Sequence, residues 1–298
     1  MDLLDGLKAF VATAQSGSFT RAAQQLGISN RLTSKYVAEL ELRLGARLLQ
    51  RTTRQVGLTP AGRDLLARAP ALLDEFDDLL AAASEGRHEL SGTLRVAAPL
   101  TFGELYIKDL LARFADHHPD LAIDLRLNDE FVDLASGGYD LAFRIGTPDV
   151  ASLKVRTLGQ MTTRTVASPA YLSRHQAPAT PQDLMGHRCI LDTNRRAPGT
   201  WTFKRGHREI SVSPPRTLMV NNARVARAWA IQGRGITLCP EFVLQDDLEK
   251  GALVTVLDDY PLPETPVCAL YLAGRIVPRK VRNLIDFAID DIARDGFR

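Results

Sequence analysis

The stretch AAQQLGISNRLTSKYVAELE, residues 22–41, holds two apolar rhythms of helical period with almost nothing between them. Gly27 stands where a helix C-cap needs positive φ, which glycine alone reaches without steric cost, and Ile28 supplies the apolar contact that often closes such a cap. Ser29 then offers an oxygen to the free amides of the next helix. Two short helices must therefore meet at a tight corner. Upstream, Leu7, Phe10, Val11 and Ala14 form one helical stripe, SGS at 16–18 ends it, and Ser18 caps a second helix that buries Phe19, Ala22, Ala23 and Leu26. The small pair Ala22 and Ala23 lets another helix approach closely.

The third helix, over residues 30–44, is expected to bury Thr33, Val37, Leu40 and Leu44, positions three, four and seven apart. Its other face shows Asn30, Arg31, Ser34 and Lys35. Hydrogen-bond donors clustered in the first turns are what a recognition helix presents to base edges in the major groove. Gly45 stops this helix, and RLLQRTTRQVGLT at 47–59 reads as two short strands around a basic turn with Arg51 and Arg54, a wing able to reach phosphates. Residues 1–58 hold eight Lys or Arg against four Asp or Glu, although the whole chain carries only +2, so the front is the part suited to a polyanion.

Thr59 and Pro60 form an N-cap with proline at the first helical position. Beyond them Leu65, Ala69, Leu72, Phe76, Leu79 and Ala83 alternate by four and three, a heptad seam suited to a partner helix, with Leu65, Leu72, Phe76 and Leu79 as its main contacts. Packing of this helix on its own domain is the alternative. Pro70 removes a backbone donor, so a bend is expected near 67–70. SEGRHELSG at 84–92 is a polar hinge.

From Thr93 strands and helices alternate, LRVAAP, a helix around 105–117, LAIDLRLN, a helix over 131–136, then YDLAFRIG, which implies a parallel sheet covered on both faces. Such sheets bind ligands beyond the carboxyl ends of their strands. There the chain reads PLTFGE, with Thr101 able to offer a hydroxyl. Downstream, WTFKRGHREISVSP looks like a hairpin, and GRG at 233–235 lies after a helix and before a strand, so it reads as a helix C-cap rather than a nucleotide fingerprint.

In this order the signals of residues 10–62 resemble the winged helix-turn-helix of LysR-type transcriptional regulators. The family pattern, a serine-phenylalanine opening, an alanine pair, a leucine-glycine corner, leucine-glutamate, leucine-glycine, arginine and threonine-x-alanine-glycine, is met by Ser18, Phe19, Ala22, Ala23, Leu26, Leu40, Glu41, Leu44, Gly45, Leu48, Arg51, Leu58, Thr59, Ala61 and Gly62. Leu49 stands where the family often has phenylalanine. The later half is similar to the family's effector domain, itself similar to periplasmic solute-binding proteins, through YDLAFRIG, ASPAYL, HRCIL and IQGRGITLCP.

The resemblance implies an α/β protein with an N-terminal winged helix-turn-helix over 1–58, a long linker helix and hinge over 59–91, and a two-lobed effector domain over 92–298. Lobe 1 would comprise 92–163 and 267–298, and lobe 2 would comprise 164–266. Candidate DNA contacts are Ser29, Asn30, Arg31, Leu32, Ser34, Lys35, Arg51 and Arg54. Family position matching puts Leu100, Thr101, Phe102, Asn128, Arg144, Ile145, Thr200, Trp201, Phe203 and Asn222 nearest an interlobe cleft. Its expected occupant is a small organic anion, drawn by helix N-termini, Thr101 and Arg144, with Trp201 and Phe203 as apolar walls; the alternative is that Arg144 pairs with Asp140 or another carboxylate and Trp201 is core. Expected partners are double-stranded DNA with an interrupted palindrome, the effector, and a second copy in a dimer or a tetramer of dimers, with RNA polymerase left open.

Against an enzyme, there is no G-x-S-x-G, H-E-x-x-H, P-loop or metal-spaced Cys or His cluster, and no metal or cofactor is expected. His117 and His118 are adjacent and project about 100° apart on a helix, so they read as surface. A thiol-based redox sensor of the same fold remains a second reading, although Cys189 and Cys239 lie in apolar strand sequences and all three cysteines, Cys268 included, read as buried thiols. No apolar run reaches the roughly 18 residues of a membrane span, and the start lacks a basic n-region, so a cytoplasmic location is expected.

Overall fold

The computed structural model describes residues 2–51, 56–70, 72–73, 76, 79, 90–130, 133–147, 153–272 and 277–297. Three helices open the chain: α1 (Leu3–Ser16), α2 (Phe19–Leu26) and α3 (Asn30–Leu44). The corner between α2 and α3 is built by local chemistry. Gly27 takes φ 66°, the Ile28 amide donates back to the Ala23 carbonyl at 3.1 Å, and Ser29 Oγ accepts from the Leu32 amide at 3.2 Å. Phe10, Val37 and Leu40 meet in a core of 0–1 % exposure, and Ala22 is fully buried on α2. Leu44 departs from the expected stripe. It lies on the last turn at 49 % exposure, and Leu40 is the last buried position of α3.

The wing strands β1 (Leu49–Arg51) and β2 (Val56–Leu58) pair antiparallel. Glu41 on α3 fixes them: its Oε1 accepts from the amides of Leu48 at 2.7 Å and Leu49 at 3.0 Å. Thr59 Oγ1 donates to carbonyls of that same strand entry and accepts the Gly62 amide at 3.0 Å, capping α4 (Pro60–Leu66). Gly62 packs so tightly that a Cβ there would stand 2.0 Å from the Leu48 carbonyl oxygen. Glycine is required by contact here, not by φ.

The helix that follows breaks at Ala67 and Arg68, within the expected bend, and is helical again at 69–70, 72–73, 76 and 79. Leu66, Ala69 and Leu73 are buried in the head's own core, and Leu65 packs partly against it. Leu65 and Ala69 are thus corrected as seam positions, because the break turns this part of the stripe toward α1 and α3. Leu72 and Leu79 stand out at 55 % and 62 % exposure, and Phe76 is half-buried.

The remainder forms two five-stranded sheets. In the first, β3 (Gly92–Ala98) lies parallel between β4 (Leu121–Leu127) and β5 (Leu141–Ile145), and β14 (Thr265–Leu272) runs antiparallel between β5 and β6 (Leu153–Met161). The second has the order β11 (Arg216–Val220), β8 (Cys189–Asp192), β12 (Ile236–Pro240), β7 (Thr163–Ala167) and β13 (Val254–Thr255), with β11, β8 and β12 parallel. The chain passes between sheets at Thr162 and again before Thr265. The hairpin of β9 (Trp201–Arg205) and β10 (Arg208–Val212) covers the second sheet, and Gly233 takes the left-handed φ of a helix end at 71°.

The helix after β3 begins as Leu100–Phe102, widens to a π turn over Gly103–Ile107 and continues as Lys108–Asp116; together these form α5. On the second sheet lie α6 (Ala223–Ile231) and α7 (Glu241–Glu249), and α8 (Arg279–Asp295) packs on the first. Asp291 of α8 is 1 % exposed and accepts from Tyr106 at 2.8 Å, Arg113 at 2.6 Å and Arg294 at 3.1 Å, so this buried carboxylate is fully partnered.

Candidate DNA-reading face and effector cleft

On α3 the candidate residues divide by what already holds them. Ser29 is spent on the cap, Asn30 Nδ2 donates to Thr20 Oγ1 at 3.1 Å, and Lys35 sits 3.7 Å from Glu39 in an exposed i,i+4 pair. Arg31 is exposed and Ser34 half-buried, and neither makes a side-chain hydrogen bond or ion pair among the described residues. Leu32 is half-buried beside them. A donor-bearing face without internal partners can exchange water for base edges at little loss. Arg51 contributes its backbone to β1; its side chain and the whole of Arg54 lie outside the described residues.

The second candidate site lies where the carboxyl ends of the parallel strands of both sheets face one another. Several candidates turn out to be engaged by the protein itself. Arg144, 9 % exposed, donates to the carbonyls of Asn128 at 3.2 Å, Asp129 at 3.3 Å and Glu130, which ties down the loop after β4. Burial lowers its pKa, against the opposing pull of Asp129. It pairs with neither Asp140, which accepts the Arg95 amide and faces Lys280, nor an open cleft. The expected role of Arg144 as a cation presented to ligand is corrected: both terminal nitrogens of its guanidinium are engaged by carbonyls. The free amide expected at the start of α5 is also filled, since Leu100 N donates to Asp129 Oδ1 at 2.9 Å.

Asn128 Oδ1 accepts the Glu130 amide, and Asn222 Oδ1 caps α6 by accepting from Arg224 and Val225. Trp201 and Phe203 are 1 % and 0 % exposed within the core of the second sheet, and Phe102, 1 % exposed, stacks on Tyr106 and meets Phe242 edge-on. These three aromatics are corrected as cleft walls, because a side chain already surrounded has no face left for a ligand. Ile145 and Thr200 are exposed, Leu100 half-buried. Thr101 is 8 % exposed, and its hydroxyl has no hydrogen bond among the described residues.

The cleft contains groups that sequence reasoning missed. Glu104 of α5 and Arg224 of α6 join the two lobes through a 2.6 Å ion pair. Asp192 ends β8 at 9 % exposure; burial raises its carboxyl pKa, the charge of Asp129 across the cleft adds to this, and the Asn194 amide and Arg195 oppose it. Arg195, half-buried, is lowered by burial and held up by Asp192. The signal was available, since CILDTNRR places an acid and a base just beyond a buried parallel strand. Elsewhere, a cavity of about 460 Å³ beside the crossover at Thr162, lined by Gln160, Met161, Phe242, Gln245 and Phe297, includes none of the expected effector contacts.

All three cysteines are buried, and burial pushes Cys189 up to about 12 and raises Cys239 and Cys268. Among the described residues there is no group of three metal-ligating side chains and no helix long and apolar enough to cross a membrane.

Comparison with known proteins agrees with this organisation. Residues 4–63 match the family described as bacterial regulatory helix-turn-helix protein, lysR family, and residues 87–293 match the LysR substrate binding domain. The transcriptional regulator PtxR of Pseudomonas aeruginosa is 35 % identical over 295 residues, 99 % of this chain and 95 % of that protein. Among solved structures, the full-length Vibrio cholerae virulence activator AphB has a TM-score of 0.60 at 29 % identity, covering 97 % of this chain and 99 % of that one. CrgA of Neisseria meningitidis, a LysR-type regulator, has a TM-score of 0.61 at 28 % identity, covering 96 % and 98 %. With a head that pairs a capped helix-turn-helix with an anchored wing, and a two-sheet domain behind it, the chain belongs to the LysR family of transcriptional regulators.

Proposed function

We propose that this LysR-type regulator reads an interrupted palindromic operator with α3 of each head in a dimer and adjusts that reading when a small organic anion enters the interlobe cleft. The observation that carries the DNA half is the face of α3, where the side chains of Arg31 and Ser34 make no hydrogen bond or ion pair among the described residues while Glu41, on the same helix, fixes the wing. Ser29, Asn30, Leu32 and Lys35 complete the surface, with Asn30 positioned by Thr20, and Arg51 and Arg54 serve the phosphates. The exposed Leu72 and Leu79 provide the partner-facing stripe. A two-fold dimer presents two recognition helices to two half-sites.

The ligand half is supported by Thr101 at the strand ends, 8 % exposed and with no hydrogen bond to its hydroxyl among the described residues, and by the Glu104–Arg224 pair, which gives the two lobes a contact whose geometry a bound ligand can bias. A redox role is disfavoured because the three thiols are buried and held protonated, whereas reactive cysteines are exposed and acidic. Selection of bound sequences from random duplex DNA tests the function. The expected product is a palindrome whose half-sites lie about 10 bp, or a multiple of it, apart. Recovery of sequences without a shared pattern would refute operator reading.

A further inference from the structure

We infer that Arg195 is the residue that selects the effector's charge, and that the effector is a small carboxylate also carrying a hydroxyl or ammonium donor. This rests on the reading of the interlobe cleft as the effector site. Three arginines stand where the two sheets meet, and two are already engaged: Arg144 by the carbonyls of the 128–130 loop and Arg224 by Glu104. The side chain of Arg195 makes neither a hydrogen bond nor an ion pair among the described residues, although it is half-buried.

Its position is fixed by backbone. The Arg195 amide donates to the Asp192 carbonyl, the Thr193 amide to the Val220 carbonyl at 2.7 Å, and Asn194 Nδ2 to the Asn221 carbonyl at 2.6 Å. The turn is therefore held at the carboxyl ends of β8 and β11, beside the first turn of α6. Burial disfavours the Arg195 cation, and Asp192 offsets this only through space. An unpaired cation in a water-poor crevice gains strongly from a carboxylate with fork geometry.

The second half of the inference comes from Asp129 and Asp192. Asp192 is 9 % exposed at the end of β8 and accepts the Asn194 amide at 3.0 Å, and Asp129 fills the amide at the start of α5; the charge of Asp129 adds to the burial that raises the Asp192 carboxyl. A bare anion placed between them would meet two like charges. A ligand that gives its carboxylate to Arg195 and a hydroxyl or ammonium hydrogen to Asp192, with Thr101 completing the contacts, complements both Arg195 and Asp192.

Thermal shift of the full-length chain tests this with glycolate, lactate, malate and alanine, each alongside an analogue lacking the donor (propionate for lactate) and one lacking the carboxylate (lactamide). At least one hydroxy or amino acid should raise the melting temperature, and its two analogues should be weaker. Arg195→Gln should weaken that binding about tenfold or more with little change in the ligand-free melting temperature, since no side-chain hydrogen bond or ion pair among the described residues is lost, and Arg195→Lys should retain part of it. Arg196→Gln, an exposed neighbour, should leave it unchanged. Binding lost in Thr101→Val but kept in Arg195→Gln would overturn the role of Arg195 and leave the cleft reading intact. Preference for neutral or cationic compounds would overturn the assigned chemistry. No binding by any compound, or binding unaffected in either variant, would overturn both.

Discussion

Replacing Glu41 with Ala removes two hydrogen bonds from a carboxylate to backbone amides, Leu48 at 2.7 Å and Leu49 at 3.0 Å. Hydrogen bonds to a charged group contribute about 1.5 to 3 kcal/mol each, which gives an upper range of about 3 to 6 kcal/mol. Leu48 and Leu49 are only 2 % and 5 % exposed, so water reaches the freed amides incompletely and little of that loss is recovered. We expect the head to lose about 3 kcal/mol, a melting shift of roughly 12 to 24 °C for a domain of this size. Glu41→Gln keeps one neutral acceptor and should lose about half as much. Guanidinium unfolding followed by hydrogen exchange in a peptide spanning 46–51 reads the head separately from the effector domain. Operator and scrambled DNA should both bind more weakly as the wing loosens. A loss below about 1 kcal/mol with wing protection unchanged would refute the claim that Glu41 carries the wing.

Leu72→Asp should convert the dimer to monomers by light scattering and weaken operator binding with it, since two carboxylates would face each other in an apolar seam; a variant that stays dimeric would show the seam to be misassigned. Changing Cys189, Cys239 and Cys268 together to Ser should preserve the response to inducer with some loss of stability, and abolished induction in a folded protein would revive the redox reading. Asp291 is raised by burial, but hydrogen bonds from Arg113 and Tyr106 and the arginine charge outweigh this, so its pKa is lowered. The unfolded chain then binds that proton more readily than the folded one, so the network's stability is present above about pH 4 and lost as pH falls through the lowered value. Asp291→Asn should flatten the acid limb of stability against pH, and an unaltered limb would contradict it.

What was legible in the sequence was whatever depends on near neighbours. Ser18, Gly27, Ser29, Gly45 and Thr59 cap helices within four residues of themselves, and each cap stands where local chemistry places it. Contacts closed by a distant segment left no such trace. Nothing local to Arg144 says that three carbonyls from residues 128–130 will take its donors, or that Asp129 will fill the amide of Leu100. Family position matching makes Trp201 and Phe203 cleft walls, yet their alternation with Thr202 and Lys204 already has the period of a strand turning one face to the core. Leu65 and Ala69 fitted a heptad, but seven-residue spacing cannot tell a partner helix from the chain's own domain once a break intervenes.

The central claim is that α3 reads sequence while the wing holds the phosphate backbone, and a titration of operator against scrambled DNA at several salt concentrations tests it most directly. Arg31→Ala and Ser34→Ala should weaken operator binding by about 1 to 3 kcal/mol where a base contact is lost, with little change on scrambled DNA. Arg54→Ala should weaken both and flatten the salt slope by about one. Equal losses on both DNAs for all three variants would contradict the account, because α3 would then be one more basic surface and not the reader.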